Sequence, residues 1–468
     1  MQGSRAGSPA PFHYPYGGHP GDMSVQDKRI ALPELEGIVR FVLDEARRQG
    51  AGQAEASATH DAGLSVTARL GDVENIEYTN DRGVGVTVYI DSCKGSATTS
   101  DFGTEALREA VAKACSIARR TAPDPYAGLA EPELMASDPP DLALAWPWEI
   151  DADRAIELAV ACEAAARNYD RRITNSEGAT LTTHSGSLAY GNTHGFVGSY
   201  AKTRHGLSCV VVGETDGLME RDFHYTTARD ASELETPEQV GTTAAQRTVA
   251  RLGARKIRTT KAPVLFTPEL ARGFIGHMVG AISGGAQYRR ASFLLDAAGE
   301  RVFPEFVTIE ERPHIPKALA SAPFDAEGVA TRDRDLVAAG VLQGYILSAY
   351  SARRLGLKST GNAGGAHNLV VSGTDGDLAS LIRTLPRGLV VHELIGQGVN
   401  GVTGDYSRGA VGFWVENGEI VHPVHEVTIA GNLKELYRRI AAIGHDRDLR
   451  GTIRCGSLLV EEMTIAGA

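Results

Sequence analysis

The chain has 468 residues, 47 Lys and Arg against 58 Asp and Glu, and a net charge of −11. That acidic balance excludes bulk electrostatic binding to nucleic acid or an anionic membrane, and no apolar run reaches the roughly 18 residues a membrane-spanning helix needs. With 42% hydrophobic and 22% charged residues, the composition is that of a globular chain with material for two or three domains and a full core.

Residues 1–28 are rich in Gly, Pro and Ser, lack the apolar segment of a signal peptide and read as a disordered tail, with Met23 a candidate alternative start. Order begins near Leu32: Leu35, Ile38, Val39, Val42 and Ala46 recur at helical spacing, and Gly50 stands where a C-terminal cap belongs. The stretch LSVTARLGDVENIEYTNDRGVGVTVYI (64–90) reads as strands with Asn80-Asp81-Arg82-Gly83 as their turn. A second helix is predicted over 105–119, with Thr104 as its N-cap. Six prolines fall within 123–147 and mark a path over the surface or a linker. An alanine-rich third helix spans 153–168, and 179–228 reads as a meander of short strands turning at Gly191-Asn192 and Asp216-Gly217. Helix, strands, helix, twice over, suggests two related units, although no sequence repeat marks them.

A second half begins near Pro263. Thr267-Pro268-Glu269 is a helix start: a cap, a proline in the first turn, then an acid. Leu270, Phe274, Met278 and Ile282 line one face of that helix, and Gly284-Gly285 ends it. Beyond residue 340 the chain turns rich in glycine and strands. Asn417-Gly418 is a hairpin signal between FWVE and EIVHPV, and a short helix is predicted over 432–443. The fold class is α+β. An N-terminal α+β domain with two related helix–strand units covers 29–230, a connecting helical segment covers 231–262, and a C-terminal β-rich, barrel-like domain covers 263–468.

Candidate chemistry is sparse. VVHELIGQGVN (390–400) places His392 and Glu393 ahead of Gln397. A helical zinc site needs its two histidines four residues apart on one face; here the sixth residue sits at i+5, is a glutamine, and follows a strand-like Leu389-Val390-Val391. His392 therefore reads as a strand-end residue making an ordinary hydrogen bond. His422 and His425 flank Pro423 on opposite faces of a strand, and His445 sits beside Asp446 and Asp448 near a helix end. Glu310 and Asp325 could pair for acid–base work, but read as solvated loop acids. No phosphate-binding loop, dinucleotide fingerprint or nucleophile elbow is present. Five scattered cysteines, Cys93, Cys115, Cys162, Cys209 and Cys455, read as reduced thiols of a cytosolic protein.

Three runs carry a resemblance: SARRLGLKSTGNAGG (351–365), GQGVNGVTGDYSRGAVGFWVENGEIVHPVHEVTIAGNLKE (396–435) and IRCGSLLVEEMTIAG (453–467). With PVLFTPELARGFIGHMVGAISGG (263–285), they resemble the TldD/PmbA family, and within it the PmbA/TldE type, from about residue 30 to the end. The resemblance implies a cytoplasmic metallopeptidase built from two homologous subunits that cleaves unfolded peptides in a chamber between them. The TldD-type subunit carries zinc on an HExxxH helix with a cysteine near the C-terminus, and the PmbA/TldE-type subunit is its partner. A link to DNA gyrase as a modulator also attaches to the family.

The metal helix of the TldD type corresponds here to RGFIGH (272–277). Arg272 stands at the first ligand position and Gly273 at the catalytic glutamate. His277 matches the second histidine and Cys455 the cysteine, leaving two of three protein ligands and no general base. Arg272 would repel a cation. His277 also reads as a core residue of the helix face, and Cys455 as a buried strand cysteine. The expectation is a chain with no catalytic residue, metal or cofactor of its own, whose TldD-type partner holds zinc. Its partners would be that subunit and unfolded peptides, with a homodimer when alone, and no nucleic acid or membrane. Two other readings stay open: a self-sufficient metallopeptidase using His277 and Cys455 with a third ligand, or His392 and Glu393; and a non-proteolytic binding protein acting on gyrase.

Overall fold

The computed structural model describes residues 30–374 and 376–467; the stretch 1–28 lies outside them. The N-terminal half runs α1 (Leu32–Arg48), β1 (Gln53–Arg69), β2 (Asp72–Ile90), β3 (Cys93–Thr99), α2 (Thr104–Ala118), then α3 (Ala152–Arg167), β4 (Ile173–Asn192), β5 (Val197–Thr215), β6 (Leu218–Ala228) and α4 (Pro237–Arg251). This is helix–three strands–helix, twice. The six strands form one sheet in the order β3-β2-β1-β4-β5-β6, with the two units meeting at the antiparallel β1–β4 seam.

Alternation in β1 explains the layering. Ala54, Ala56, Ala58, Leu64 and Val66 are buried, and in a pleated strand these even positions share one face. They meet α1 and α2 through Leu35, Val39 and Val111, and α3 and α4 through Cys162, Val240 and Ala244. All four helices therefore cover a single face. The other face is polar, with Glu55, Ser57 and Thr59 on β1. Helices α3 and α4 approach so closely that a Cβ at Gly241 would lie 2.1 Å from the Cys162 carbonyl oxygen.

Several local expectations need correction. Strand β2 passes straight through Asn80–Gly83, each residue paired to β1. The turn is Leu70-Gly71, whose φ values of 54° and 88° suit a tight hairpin; a leucine there gave no turn signal. The strands of 173–228 are long, up to 20 residues, and Gly191-Asn192 closes β4 instead of turning. The cap of α2 is Gly103, one residue ahead of Thr104. The proline-rich 123–147 takes an irregular path, pairing its backbone with Thr203, Lys317 and Ala330.

The C-terminal half begins with β7 (Thr260–Phe266), α5 (Pro268–Ala281) and α6 (Gly284–Tyr288). Gly284-Gly285 thus opens a new turn capped by Ser283 and does not end α5. There follow β8 (Ile309–Glu311), β9 (Arg334–Ala338), β10 (Val341–Leu342), α7 (Ala349–Leu355), β11 (Leu369–Val371), α8 (Leu378–Thr384), β12 (Arg387–Ile395), β13 (Asp405–Glu416), β14 (Glu419–Asn432), α9 (Leu433–Arg438), β15 (Ile440–Ile443), β16 (Ile453–Arg454) and β17 (Leu458–Ala466). Strands β14-β13-β12-β7-β17 are neighbours, and pairing of β14 with β17 closes them into a five-stranded barrel. A second sheet, β10-β9-β8-β11-β16, flanks it. The Asn417-Gly418 hairpin is present, with φ of 52° and 80°. The helix expected over 432–443 stops at Arg438 and the chain re-enters a strand, so His445 is not at a helix end. Phe274, Met278 and Ile282 of the α5 region are buried, and Phe274 packs against Phe266, Tyr406 and Tyr437 at ring separations of 5.0, 5.8 and 5.3 Å.

Candidate functional site

Helix α5 separates fold from chemistry by its two faces. Phe274, Ile275 and Met278 face the core, while Arg272, Gly273 and His277 lie on the more open side. Arg272 is not free: Nη1 sits 3.2 Å from Asp448 Oδ2, and Nη2 donates to Tyr225 Oη at 2.8 Å. Gly273 is exposed, and a Cβ there would meet nothing within 4 Å; room for a glutamate exists but the residue does not. The His277 ring stands edge-on to Tyr406 at 5.9 Å, and burial with Arg408 nearby holds its pKa below the usual value. Cys455 is fully buried in the barrel core, and desolvation pushes its thiol up to about 12. No hydrogen bond joins His277 to Cys455 among the described residues.

These residues do not fit a zinc site. Zinc takes thiolate, neutral imidazole and carboxylate ligands; here the position that the resemblance makes the first ligand holds a guanidinium committed to Asp448, and burial disfavours the thiolate of Cys455. Among the described residues, no group of three or more His, Cys, Asp and Glu side chains is placed to hold a metal ion.

HELIGQ lies on β12, not on a helix. The ladder to β13 slips between Val391 and Glu393, so His392 is the extra residue of a β-bulge. Its ring packs edge-on to Phe413 at 4.9 Å, and burial, with Arg247 nearby, lowers its pKa to about 4. The expected hydrogen bond at a strand end is replaced by this ring contact. Glu393 instead accepts from Arg251 Nη1 at 2.7 Å, and Gln397 is exposed in the following loop. His422 Nδ1 lies 3.0 Å from the Pro423 carbonyl and His425 Nδ1 lies 3.7 Å from Glu220. His425 thus belongs to an ion-pair system that no local pattern announced.

That system joins the two halves. Arg251 at the end of α4 reaches Glu220, Asp222 and Glu393; Arg247 reaches Asp222 and Glu269; Arg450 reaches Glu269 and Asp448; Arg272 reaches Asp448. Four of these groups, Arg247, Glu269, Asp448 and Arg450, line a cleft of about 440 Å³ whose wall includes His392 and the start of α5. The arginines on either side keep the Glu269 and Asp448 carboxyls below the ordinary range despite burial. Arg450 and Glu269 lie 181 residues apart in sequence and Arg251 and Glu393 142, so spacing gave no clue to them.

Glu310 and Asp325 are not paired. Glu310, on β8, contacts Arg312 just beyond that strand. Asp325 is 3% exposed and accepts from the backbone N–H groups of Glu327, Val329 and Ala363, each at 2.9 Å. It organises a loop from within and is not a solvated loop acid.

A doubled helix–sheet unit joined to a five-stranded barrel is an architecture this chain shares with a metallopeptidase family. Family models describe PmbA/TldA metallopeptidase domain 1 over residues 54–118, the central domain over 146–252 and the C-terminal domain over 259–467, and the chain belongs to this PmbA/TldD family. It is 50% identical to the metalloprotease PmbA of Escherichia coli O157:H7, over 92% of this chain and 96% of that one, and 47% identical to a PmbA homolog of Haemophilus influenzae, over 96% and 99%. This likeness makes it a PmbA/TldE-type member. Among solved structures it is similar to a proposed modulator of DNA gyrase from Bacteroides thetaiotaomicron (TM-score 0.88, 26% identity, 93% of this chain and 99% of that one). It shares the fold of TldE from Thermococcus kodakarensis (TM-score 0.81, 22% identity, 93% and 100%).

Proposed function

We propose that this chain is the noncatalytic, PmbA/TldE-type subunit of a cytoplasmic heteromeric zinc metallopeptidase. It shapes the chamber and holds unfolded peptide, while a TldD-type subunit supplies zinc and the general base. One observation supports the reading: Arg272 and Gly273, which the resemblance places at the family's first ligand and catalytic glutamate, are a guanidinium tied to Asp448 and Tyr225 and a residue with no side chain. Hydrolysis by a metal-bound water needs a base to take its proton, and glycine has none to offer. The family membership supports peptidase work by the assembly. No described helix is long and apolar enough to cross a membrane, which agrees with action away from the bilayer.

A self-sufficient metalloprotease is the second reading, favoured by the metalloprotease name of the PmbA relatives. Metal analysis separates the two. The chain purified alone is expected to carry no zinc, and the complex with a TldD-type subunit about one per pair. The mixture should cleave an unfolded peptide faster than the TldD-type subunit alone. Stoichiometric zinc in the lone chain, or no gain in the mixture, would overturn the proposal.

A further inference from the structure

A cavity of about 700 Å³ opens between the helix-free face of the N-terminal sheet and the loops of the C-terminal half. Its floor is small and polar, with Ser57 on β1, and Thr87 and Ser96 joined by a 2.9 Å hydroxyl contact. One wall is aromatic: Phe324 stands edge-on to Tyr200 at 5.5 Å and to Phe196 at 5.2 Å, and Tyr190 adjoins them. The lining carries three carboxyl groups, Glu55, Asp325 and Glu327, and no Lys or Arg; its one histidine, His367, lies beside Asp325 with Nε2 3.3 Å from the Gly361 carbonyl.

The three carboxyls differ in what they have left to give. Asp325 is saturated by backbone N–H groups. Both oxygens of Glu55 accept phenol hydroxyls, from Tyr89 at 3.1 Å and Tyr190 at 2.9 Å. Glu327 spends only Oε2, on the Ala349 N–H at 2.8 Å, and its other oxygen has no protein donor among the described residues. The cation nearest in effect, Arg353, is committed to Glu131 and to the carbonyls of Tyr126, Gly128 and Leu129. Burial, with Asp325 and Glu55 nearby, raises the Glu327 carboxyl to about 7, as expected of an acid lacking its counter-charge.

We propose that this cavity binds an organic cation, a primary ammonium or guanidinium group, between Glu327 and the Tyr190–Tyr200–Phe324 wall. A small hard ion suits it poorly. Calcium takes six to eight oxygens, and two of the three carboxyls are already spent. Aromatic side chains beside an unmatched carboxylate are the chemistry of cation recognition, and a cavity of this size at a junction between halves is a usual setting for a small-ligand site. The cation's source, a peptide amino terminus or a Lys or Arg side chain, is where the inference rests on the peptide-holding reading above.

Calorimetry on the full chain with L-lysinamide and L-argininamide tests it, with N-acetyl-L-norleucinamide as the neutral control. Saturable binding of the cations and none of the control are expected. Glu327→Gln should weaken binding about tenfold or more, the loss of one charge-assisted hydrogen bond. Thr87→Lys, which plants a fixed ammonium on the floor and leaves the buried carboxyls untouched, should abolish it. A free-amine tripeptide without Lys, set against an N-acetylated peptide containing Lys, separates the two sources. Equal binding of the neutral amide, affinity unchanged in both variants, or no cation bound by the wild-type chain would overturn the proposal. None of these outcomes bears on whether a TldD-type partner is stimulated.

Discussion

Glu327→Gln should make the protein more stable above pH 7, and by a calculable amount. The carboxyl is raised from 4.5 to about 7 because it is buried and faces Asp325 and Glu55, with Arg353 only partly offsetting them. A folded-state pKa above the unfolded value means that the folded chain keeps a proton the unfolded chain has already lost. Stability therefore falls as pH rises from about 4.5 to about 7, and the loss is complete above that. At about 1.4 kcal/mol per pH unit, the ceiling is about 3 kcal/mol. Glutamine removes the charge but can still accept from the Ala349 N–H, so most of that penalty should disappear in the variant. The assay is urea unfolding followed by tryptophan fluorescence at several pH values between 4 and 8. The stability difference between variant and wild type should be near zero at pH 4 and grow to about 2–3 kcal/mol at pH 8. A difference that does not change with pH, or a variant less stable at pH 8, would refute the reasoning. Gained stability with lost cation binding would mark a group kept for function at the fold's expense.

Arg251→Met should cost about 3–5 kcal/mol, since its side chain is 7% exposed and leaves Glu220, Asp222 and Glu393 facing one another; a loss under about 0.5 kcal/mol in urea unfolding would rank it with surface pairs. Glu269 and Asp448, whose folded pKa values are depressed, contribute stability that is present above the ordinary carboxylate range and lost as pH falls through it, so acid unfolding should steepen below about pH 4 and flatten in Glu269→Gln. Thiol labelling at pH 8 should modify Cys93, which is half-buried, and reach Cys115, Cys162, Cys209 and Cys455 only on unfolding; rapid labelling of Cys455 would contradict its burial. Asp325→Ala should strip three backbone N–H groups of their acceptor and cost about 3 kcal/mol or more, read as a lower melting temperature.

What was legible in the sequence was local. Helices α1, α3 and α5 announced themselves by apolar spacing, and Asn417-Gly418 by the φ > 0 that both residues tolerate. The same turn chemistry misled at Asn80–Gly83, where pairing to β1 along the whole of β2 outweighs the local preference. Leu70, at φ 54°, hid the true turn because leucine seldom adopts that conformation. Asp325 looked like a loop acid because its three donors come from backbone, which composition does not reveal. Nothing in the sequence singled out Arg247, Arg251 and Arg450; their partners Glu269 and Glu393 are distant in sequence or meet them only where the sheet docks on the barrel.

The two faces of α5 answer to different constraints. The apolar stripe of Phe274, Ile275 and Met278 is fixed by the barrel core, where large-to-small changes cost about 2–5 kcal/mol each. The open face answers to no such constraint: Gly273 has empty space before it, and Arg272 has become a tie from the barrel helix to Asp448 and to Tyr225 on β6 of the sheet. Arg272 thus helps to hold the two halves together, across the same junction as the Arg251 and Arg450 pairs. The cation cavity lies on the helix-free polar face of that sheet, against loops of the C-terminal half. Any ligand seated there would bridge the sheet and those loops, so its binding should raise the stability of the docked arrangement by mass action, and the Glu327→Gln variant, already relieved of its unmatched charge, should gain little from it.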